Sequence, residues 1–355
     1  MPAMPGFAFE SRMPRVVFGA GALQQLPREA EALGLQRLLV LSTPGQAALA
    51  QRVVELLGPR AAGVFAQAVM HVPVETARAA CAAALQFGAD GVVTIGGGST
   101  TGLGKAVALE TGLPIIAIPT TQAGSEMTTM YGLTEAGLKR TGRDPRVLPR
   151  CVIYDPELSC GLPFSVTVVS ALNAIAHAAE GLYAPEANPF IEAMAVEGIR
   201  RSAQALTRLQ ADPRDIEARA ESLAGAWLCG AVMGAITVGL HHKLCHTLGG
   251  SFNLPHAEVH AIVLPHAMAY NAPAAPQAMQ RIAQALGAAD AAGGLFDLAE
   301  RHGAPTSLAA VGMREQDLDR AAGLAVQSAY PNPRPLELAP IRELLQRAFE
   351  GTRPG

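Results

Sequence analysis

Six of the nine histidines in this 355-residue chain fall between His241 and His266. Such crowding is costly in an ordinary core, because each buried imidazole needs a hydrogen-bond partner or a ligand. The stretch reads Gly239-Leu-His241-His242-Lys243-Leu-Cys-His246-Thr-Leu-Gly-Gly-Ser-Phe-Asn-Leu-Pro-His256. A helix over 240–248 puts His242 and His246 on one face, one turn apart. Gly249-Gly250 is expected to break that helix, and Pro255-His256 to bring a third imidazole back toward the same face. This suits a metal site or a polar catalytic pocket; partly exposed histidines at a helix end are the plainer alternative. A second segment, Leu172-Asn173-Ala-Ile-Ala-His177-Ala-Ala-Glu180, sets Asn173 and His177 one helical turn apart. With His242 and His256 it makes a four-point set drawn from distant helices.

Two other stretches suit phosphate. Gly96-Gly97-Gly98-Ser99 follows an apolar run and opens a helical one. Glycines let the backbone approach closely, and free N–H groups with the helix dipole favour a pyrophosphate. The match to known fingerprints is incomplete. A third glycine of G-x-G-x-x-G is missing, and a P-loop ending at Gly104-Lys105 would need Gly at 99 and Ser or Thr at 106, where Ser99 and Ala106 stand. An unliganded tight turn is the alternative. Pro119-Thr120-Thr121-Gln-Ala-Gly-Ser125-Glu126 follows the next apolar run. Hydroxyls at the carboxyl end of a neighbouring parallel strand face the same crevice, so the two loops together point to a dinucleotide. The first strand ends Ser42-Thr43-Pro44, with no carboxylate to hold a ribose or repel a 2′-phosphate, which leaves both NADH and NADPH open.

The elements that must position these residues follow from periodicity. Apolar runs at 37–42, 62–68, 91–95 and 114–118 alternate with helical patterns at 46–57, 74–87 and 100–110. Continuous apolar strands between helices imply a parallel sheet covered on both faces. Beyond Pro163 alanine-rich periodic segments follow one another with no strand-like alternation: 166–183, 191–209, 216–235, 259–270, 278–286 and 295–302. Pro331–Pro335 reads as an extended loop. The expected plan is a doubly wound α/β dinucleotide-binding domain over 1–158 and an all-helical catalytic domain over 159–355.

Composition narrows the class. Half the residues are apolar, 16% are charged and the net charge is −3, so nothing electrostatic favours nucleic acid or a membrane surface. Five scattered cysteines suit reduced thiols in the cytoplasm rather than a disulfide framework. No basic start followed by an apolar run opens the chain, so no signal peptide is expected.

Gly-Gly-Gly-Ser at 96–99, Pro-Thr-Thr and Gly-Ser-Glu within 119–126, Asp155-Pro-Glu-Leu158, Leu162-Pro163 and His242-x3-His246-x9-His256 run in one order along most of the chain. The combination resembles the iron-containing alcohol dehydrogenase family. That resemblance implies an N-terminal dinucleotide-binding domain, a helical domain, an active site in the cleft between them, and commonly a homodimer. It places the metal-ligand positions at Asn173, His177, His242 and His256, and an additional active-site histidine at His246. Three departures stand out. The ligand aspartate is Asn173, and a neutral amide is a poor transition-metal ligand. An acidic residue usual three after Ser99 is Gly102, and the second phosphate loop is one residue short.

With His-His-Lys-Leu-Cys-His and Ser-Phe-Asn-Leu-Pro-His-Ala-Glu, these departures are similar to the maleylacetate-reductase branch. The resemblance implies NAD(P)H-dependent reduction of the C=C bond of maleylacetate to 3-oxoadipate in the degradation of aromatic compounds, with a small dicarboxylate as substrate and no required metal. His246 would be the general acid. His242, His256, His177 and Lys243, with Asn173, would orient the dianion, Lys243 and the histidines together supplying positive potential. Gly96, Gly97, Gly98, Ser99, Thr120, Thr121, Ser125, Ser42 and Thr43 would hold the cofactor. The rivals are a metal-dependent alcohol or polyol dehydrogenase in which Asn173 still ligates iron or zinc, a lyase of the dehydroquinate-synthase kind, and a binding protein without catalysis.

Overall fold

The computed structural model describes residues 6–135, 138–327 and 330–354. Two compact units are present. One holds Met13–Pro163 with Ala211–Leu223; the other holds Phe164–Gln210, Ala224–Gly355 and the residues up to Arg12. The expected division at 158/159 stands beside a passage from one unit to the other at Pro163–Phe164.

The first unit is built on strands β1 (Arg15–Phe18), β2 (Leu38–Leu41), β3 (Ala61–Phe65), β4 (Gly91–Gly96), β5 (Ile115–Pro119) and β8 (Cys151–Tyr154). All pair in parallel, in the order β1-β8-β5-β4-β2-β3. Helices α1 (Leu26–Ala32), α2 (Ala47–Leu57), α3 (Val74–Gln86) and α4 (Gly98–Thr111) connect them. β2, β4 and β5 are buried along their whole length, as their unbroken apolar runs require. The chain moves outward from β2 to β3, then returns to β4 and proceeds the other way. This reversal puts the topological switch point between β2 and β4, where open α/β sheets bind ligands beyond the strand ends. An antiparallel hairpin, β6 (Met130–Glu135) and β7 (Leu138–Arg143), makes a second small sheet. Neither β1, β8 nor the hairpin was foreseen. β1 is exposed at both ends and β8 follows the hairpin rather than a long helix, so neither sits in the alternation of apolar strands with helices; the hairpin carries Lys139, Arg140 and Arg143 among its residues.

The second unit contains α5 (Phe164–Gly181), α6 (Pro189–Ala211), α7 (Ile216–Ala235, whose first turns belong to the sheet unit), α8 (Leu240–Phe252), α9 (His256–Asn271), α10 (Pro276–Leu286), α11 (Ala291–Arg301), α12 (Leu318–Val326) and α13 (Leu338–Glu350). α5 and α9 are buried nearly all round, as a central helix must be, and share one core with α8, α11 and α13. The expected break at Gly249-Gly250 does not occur: α8 continues to Phe252. It ends at Asn253, which adopts φ 54° and ψ 34° and donates its N–H to the Leu248 carbonyl. Asparagine tolerates this left-handed cap, and Pro255 two residues on prevents resumption. Two glycines cost about 1 kcal/mol each in a helix, which weakens it without ending it. Tyr330–Glu337 has neither helix nor strand. Among the described residues no single helix is long and apolar enough to cross a membrane.

Candidate active site

In the helical unit α5 carries Asn173, His177 and Glu180; α8 carries His241, His242 and His246; α9 carries His256 and His260. The organising group is Glu180, which is fully buried. Its carboxylate accepts the N–H of Gly239 at 2.9 Å and of His241 at 2.8 Å, two of the free amides at the start of α8. It also bonds Nδ1 of His242 at 2.7 Å. A carboxylate is favoured at this end of a helix by the amides and by the dipole. Its bond to Nδ1 fixes the ring and turns Nε2 of His242, buried and without a hydrogen-bond partner, to face other groups. Glycine at 239 is required by the packing: a Cβ there would stand 3.0 Å from the Pro331 carbonyl and 3.3 Å from Glu180 Oε1. The tail is itself held by a reciprocal amide pair, Asn271 with Asn332 at 3.0 and 2.8 Å, and by Arg334 stacked 4.3 Å over the Tyr270 ring.

The other rings gather around this centre. His177 stacks on His242 at 5.1 Å between centroids and 25° between planes. His246 lies 6.2 Å from His242 and runs parallel to His256 at 6.4 Å, and His256 packs on His260 at 4.4 Å. His246 and His256 are half-buried. Asn173, one turn before His177, is buried with its side-chain oxygen unpartnered. Lys243 is half-buried on α8 and makes no ion pair among the described residues.

Burial sets the charge of three of these rings. It holds His177, His241 and His260 well below the ordinary imidazole range, and the neighbouring rings, His242 first for His177 and His241, His256 first for His260, push the same way. The expectation that His177 shares positive potential with Lys243 is therefore corrected. His177, held neutral near pH 7 by its burial, does not supply that potential.

Asn173, His177, His242 and His256 fit a divalent transition ion poorly. The set contains no anion, and Glu180 is engaged by His242 and two amides. Among the described residues, the group of His, Cys and carboxylate donors whose atoms all lie within 4.8 Å of one another is His241, Cys245 and His260, not the family's ligand positions.

In the sheet unit the turn after β4 is built for close approach. Gly96 has φ +151°, and a Cβ there would lie 2.4 Å from Gln46 Oε1 and from Thr100 Oγ1. A Cβ on Gly97 would come to 3.0 Å from Thr121. α4 starts with no side-chain cap, so its first N–H groups remain for a ligand anion. Gln46 ties the neighbouring loops together, accepting from Thr43 Oγ1 at 3.2 Å and donating to Thr120 Oγ1 at 3.0 Å. Ser42, Thr43, Gly96, Gly97, Gly98, Ser99, Thr120 and Thr121 thus lie at the ends of three adjacent strands, β2, β4 and β5. The hydroxyls of Ser42, Thr100 and Ser125 are buried without partners. This donor-rich turn fits a dinucleotide phosphate. Lys105 is no P-loop lysine: buried in α4, its ammonium donates to the carbonyls of Ser125, Thr128 and Met130 at 2.6 to 2.8 Å, holding the second loop in place. Gly102 makes room for Val72, whose methyl would lie 2.8 Å from a Cβ at that position.

Glu180 was missed by spacing arguments centred on histidine, although it stands three residues after His177 and seven after Asn173, on the same helical face. Tyr330 was missed as well. Its hydroxyl is buried and unpartnered, and burial together with Glu180 pushes its pKa up.

The model of the iron-containing alcohol dehydrogenases matches residues 14–156, and that of the family's C-terminal region matches residues 167–349. The chain belongs to the iron-containing alcohol dehydrogenase family. Within it, the maleylacetate reductase of Burkholderia cepacia is 64% identical over 99% of this chain and 100% of its own. That of Delftia acidovorans is 55% identical over 98% and 99%. The crystal structure of maleylacetate reductase from Agrobacterium tumefaciens matches with a TM-score of 0.96 at 53% identity, covering 99% of this chain and 100% of that one.

Proposed function

We propose that the chain reduces the C=C bond of maleylacetate, and of its chlorinated analogues, to 3-oxoadipate with NADH or NADPH. The observation that carries this reading is the placement of charge on α5. Where the family's ligand carboxylate would be stands Asn173, and the carboxylate that is present, Glu180, is spent on His242 and on the amides of α8. What remains is a set of oriented imidazoles, with Lys243 following His242 on α8. Full-length relatives at 64% and 55% identity, named for this reaction, support it.

The chemistry suits such a pocket. Maleylacetate is a dianion whose alkene is conjugated to a ketone. When bound, the dihydronicotinamide supplies a hydride, and Gly96, Gly97, Gly98 and Ser99 with Thr120, Thr121, Ser125, Ser42 and Thr43 hold its phosphates and ribose. Addition at the alkene carbon β to the ketone leaves an enolate, which hydrogen-bond donors stabilise without a Lewis acid. His246 delivers the proton to the carbon α to the ketone, completing the addition across the double bond. Lys243 pairs with a substrate carboxylate. His242, locked by Glu180, orients the substrate with His256, His177 and Asn173. The same reading takes the protein as a cytoplasmic homodimer, in keeping with its scattered free cysteines and the family resemblance.

Absorbance of NADH followed with maleylacetate, and of NAD+ with simple alcohols and polyols, tests the proposal. Rapid NADH oxidation with the dianion and negligible alcohol oxidation are expected. Comparable kcat/KM for an alcohol, with maleylacetate inert, would reverse it.

A further inference from the structure

Behind the catalytic histidines lies a cluster that the proposed reaction leaves unused. His241 and Cys245 stand one turn apart on α8, and His260 faces them from α9. All three are at most 1% exposed. His241 Nε2 is 2.9 Å from His260 Nδ1 and 3.6 Å from Cys245 Sγ, and the three donor atoms all lie within 4.8 Å of one another. None of the three is a ligand position of the family. The remote nitrogens, His241 Nδ1 and His260 Nε2, have no hydrogen-bond partners and so can carry the ring protons when the inner nitrogens ligate.

We propose that His241, Cys245 and His260 form a binding site for one soft monovalent cation of the Cu+ class, distinct from the family's metal-ligand positions. Ligand chemistry points there first: a thiolate with two imidazoles selects soft ions over the hard cations that carboxylates bind. Geometry agrees. With metal–sulfur and metal–imidazole bonds of about 2.3 and 2.0 Å, ligand atoms sit roughly 3.3–3.6 Å apart. The distance from Cys245 Sγ to His241 Nε2 already matches, that to His260 Nδ1 lies within 4.8 Å, and the nitrogen–nitrogen distance has to open by about half an ångström, within reach of small ring rotations. Charge decides between ions. The thiolate is the one anion within the ligand set and neutralises a monovalent ion, whereas a divalent ion would leave that set net positive.

Protons balance simply. Without metal, one proton sits between His241 Nε2 and His260 Nδ1, and the sulfur is a thiol that burial holds protonated. The ion takes lone pairs from both nitrogens and from sulfur. The thiol proton leaves to solvent, and the shared proton moves to the other nitrogen of its own ring, Nδ1 of His241 or Nε2 of His260, both of which lack partners in the metal-free state. One proton is released per ion. Because the His260 ring packs on His256 at 4.4 Å and on His242 at 5.1 Å, seating an ion shifts the rings of the catalytic cluster, and occupancy inhibits.

The test is anaerobic loading of the intact protein with Cu+, removal of loose metal by a competing chelator, and measurement of copper per chain and of the X-ray absorption spectrum. One retained equivalent with one sulfur and two imidazoles is expected, together with its loss in both Cys245→Ser and Cys245→Ala. Retention unchanged in variants that melt like the wild type, a shell of imidazoles alone, or no retention by the wild type would each overturn the proposal. The spectrum of the wild type decides even if the variants fail to fold. Activity is a separate arm: Cu+ should lower NADH oxidation by the wild type at least tenfold and spare Cys245→Ser. That arm rests on the proposed function, whereas retention and spectrum do not, so the two can fail independently.

Discussion

The starts of α4 and α8 use the same physics for opposite ends. Each is a helix N-terminus entered through glycine, with free amides and a dipole that favour negative charge. At α4 the protein supplies no capping side chain, and Gly96, at φ +151°, keeps the turn bare so that a ligand anion can reach it. At α8 the protein supplies the anion itself. Glu180 takes the amides of Gly239 and His241 and uses its remaining capacity to fix His242. One terminus is left open, and the other is closed by a carboxylate that also orients the His242 ring. A helix start is thus a binding site only where the chain has left it unsatisfied.

Breaking the closed terminus should have the largest effect. Glu180→Gln keeps the volume but removes the charge that two amides and an imidazole share. Unpairing a buried charged set costs on the order of 3 kcal/mol of stability, measurable by denaturant unfolding. Turnover should fall further than stability explains, by at least about a hundredfold in kcat, because the Gln amide can donate to His242 Nδ1 and so flip its tautomer. Glu180→Asp should recover part of kcat. If Glu180→Gln kept wild-type turnover, the carboxylate would be a helix cap and nothing more. The open terminus predicts a smaller and different loss. Gly96→Ala forces a Cβ to within 2.4 Å of Gln46 and Thr100 at a φ that alanine avoids. About 1–3 kcal/mol of stability should go, and the KM for NADH should rise about tenfold while the KM for the dianion holds. An unchanged NADH KM would remove the turn from the cofactor site.

What the sequence made legible follows the range of the forces involved. The parallel sheet was readable because β2, β4 and β5 are continuous apolar runs, and the long helices because α5, α6 and α7 keep their period over many turns. β1, exposed at both ends, and β8, which follows the hairpin rather than a long helix, stand outside that alternation and are fixed by parallel pairing, β1 with β8 and β8 with β5. α8 runs past Gly249-Gly250 because glycine weakens a helix without ending it; the stop is the left-handed cap at Asn253 followed by Pro255. In the site, the gathering of His242, His246 and His256 could be anticipated from spacing along α8 and its return. The orientation of His242 could not, because it depends on a tertiary contact with Glu180 across 62 residues. Nor could the neutral state of His177, which depends on burial.

Turnover after complete chelation, with metal content measured on the same sample, bears most directly on the claim that these imidazoles and Lys243 work without a metal at Asn173, His177, His242 and His256. Reduction of maleylacetate at an undiminished kcat by protein holding far less than one equivalent of iron or zinc is the predicted result. Loss of turnover that tracks loss of a stoichiometric ion, and its return when the ion is restored, would contradict it.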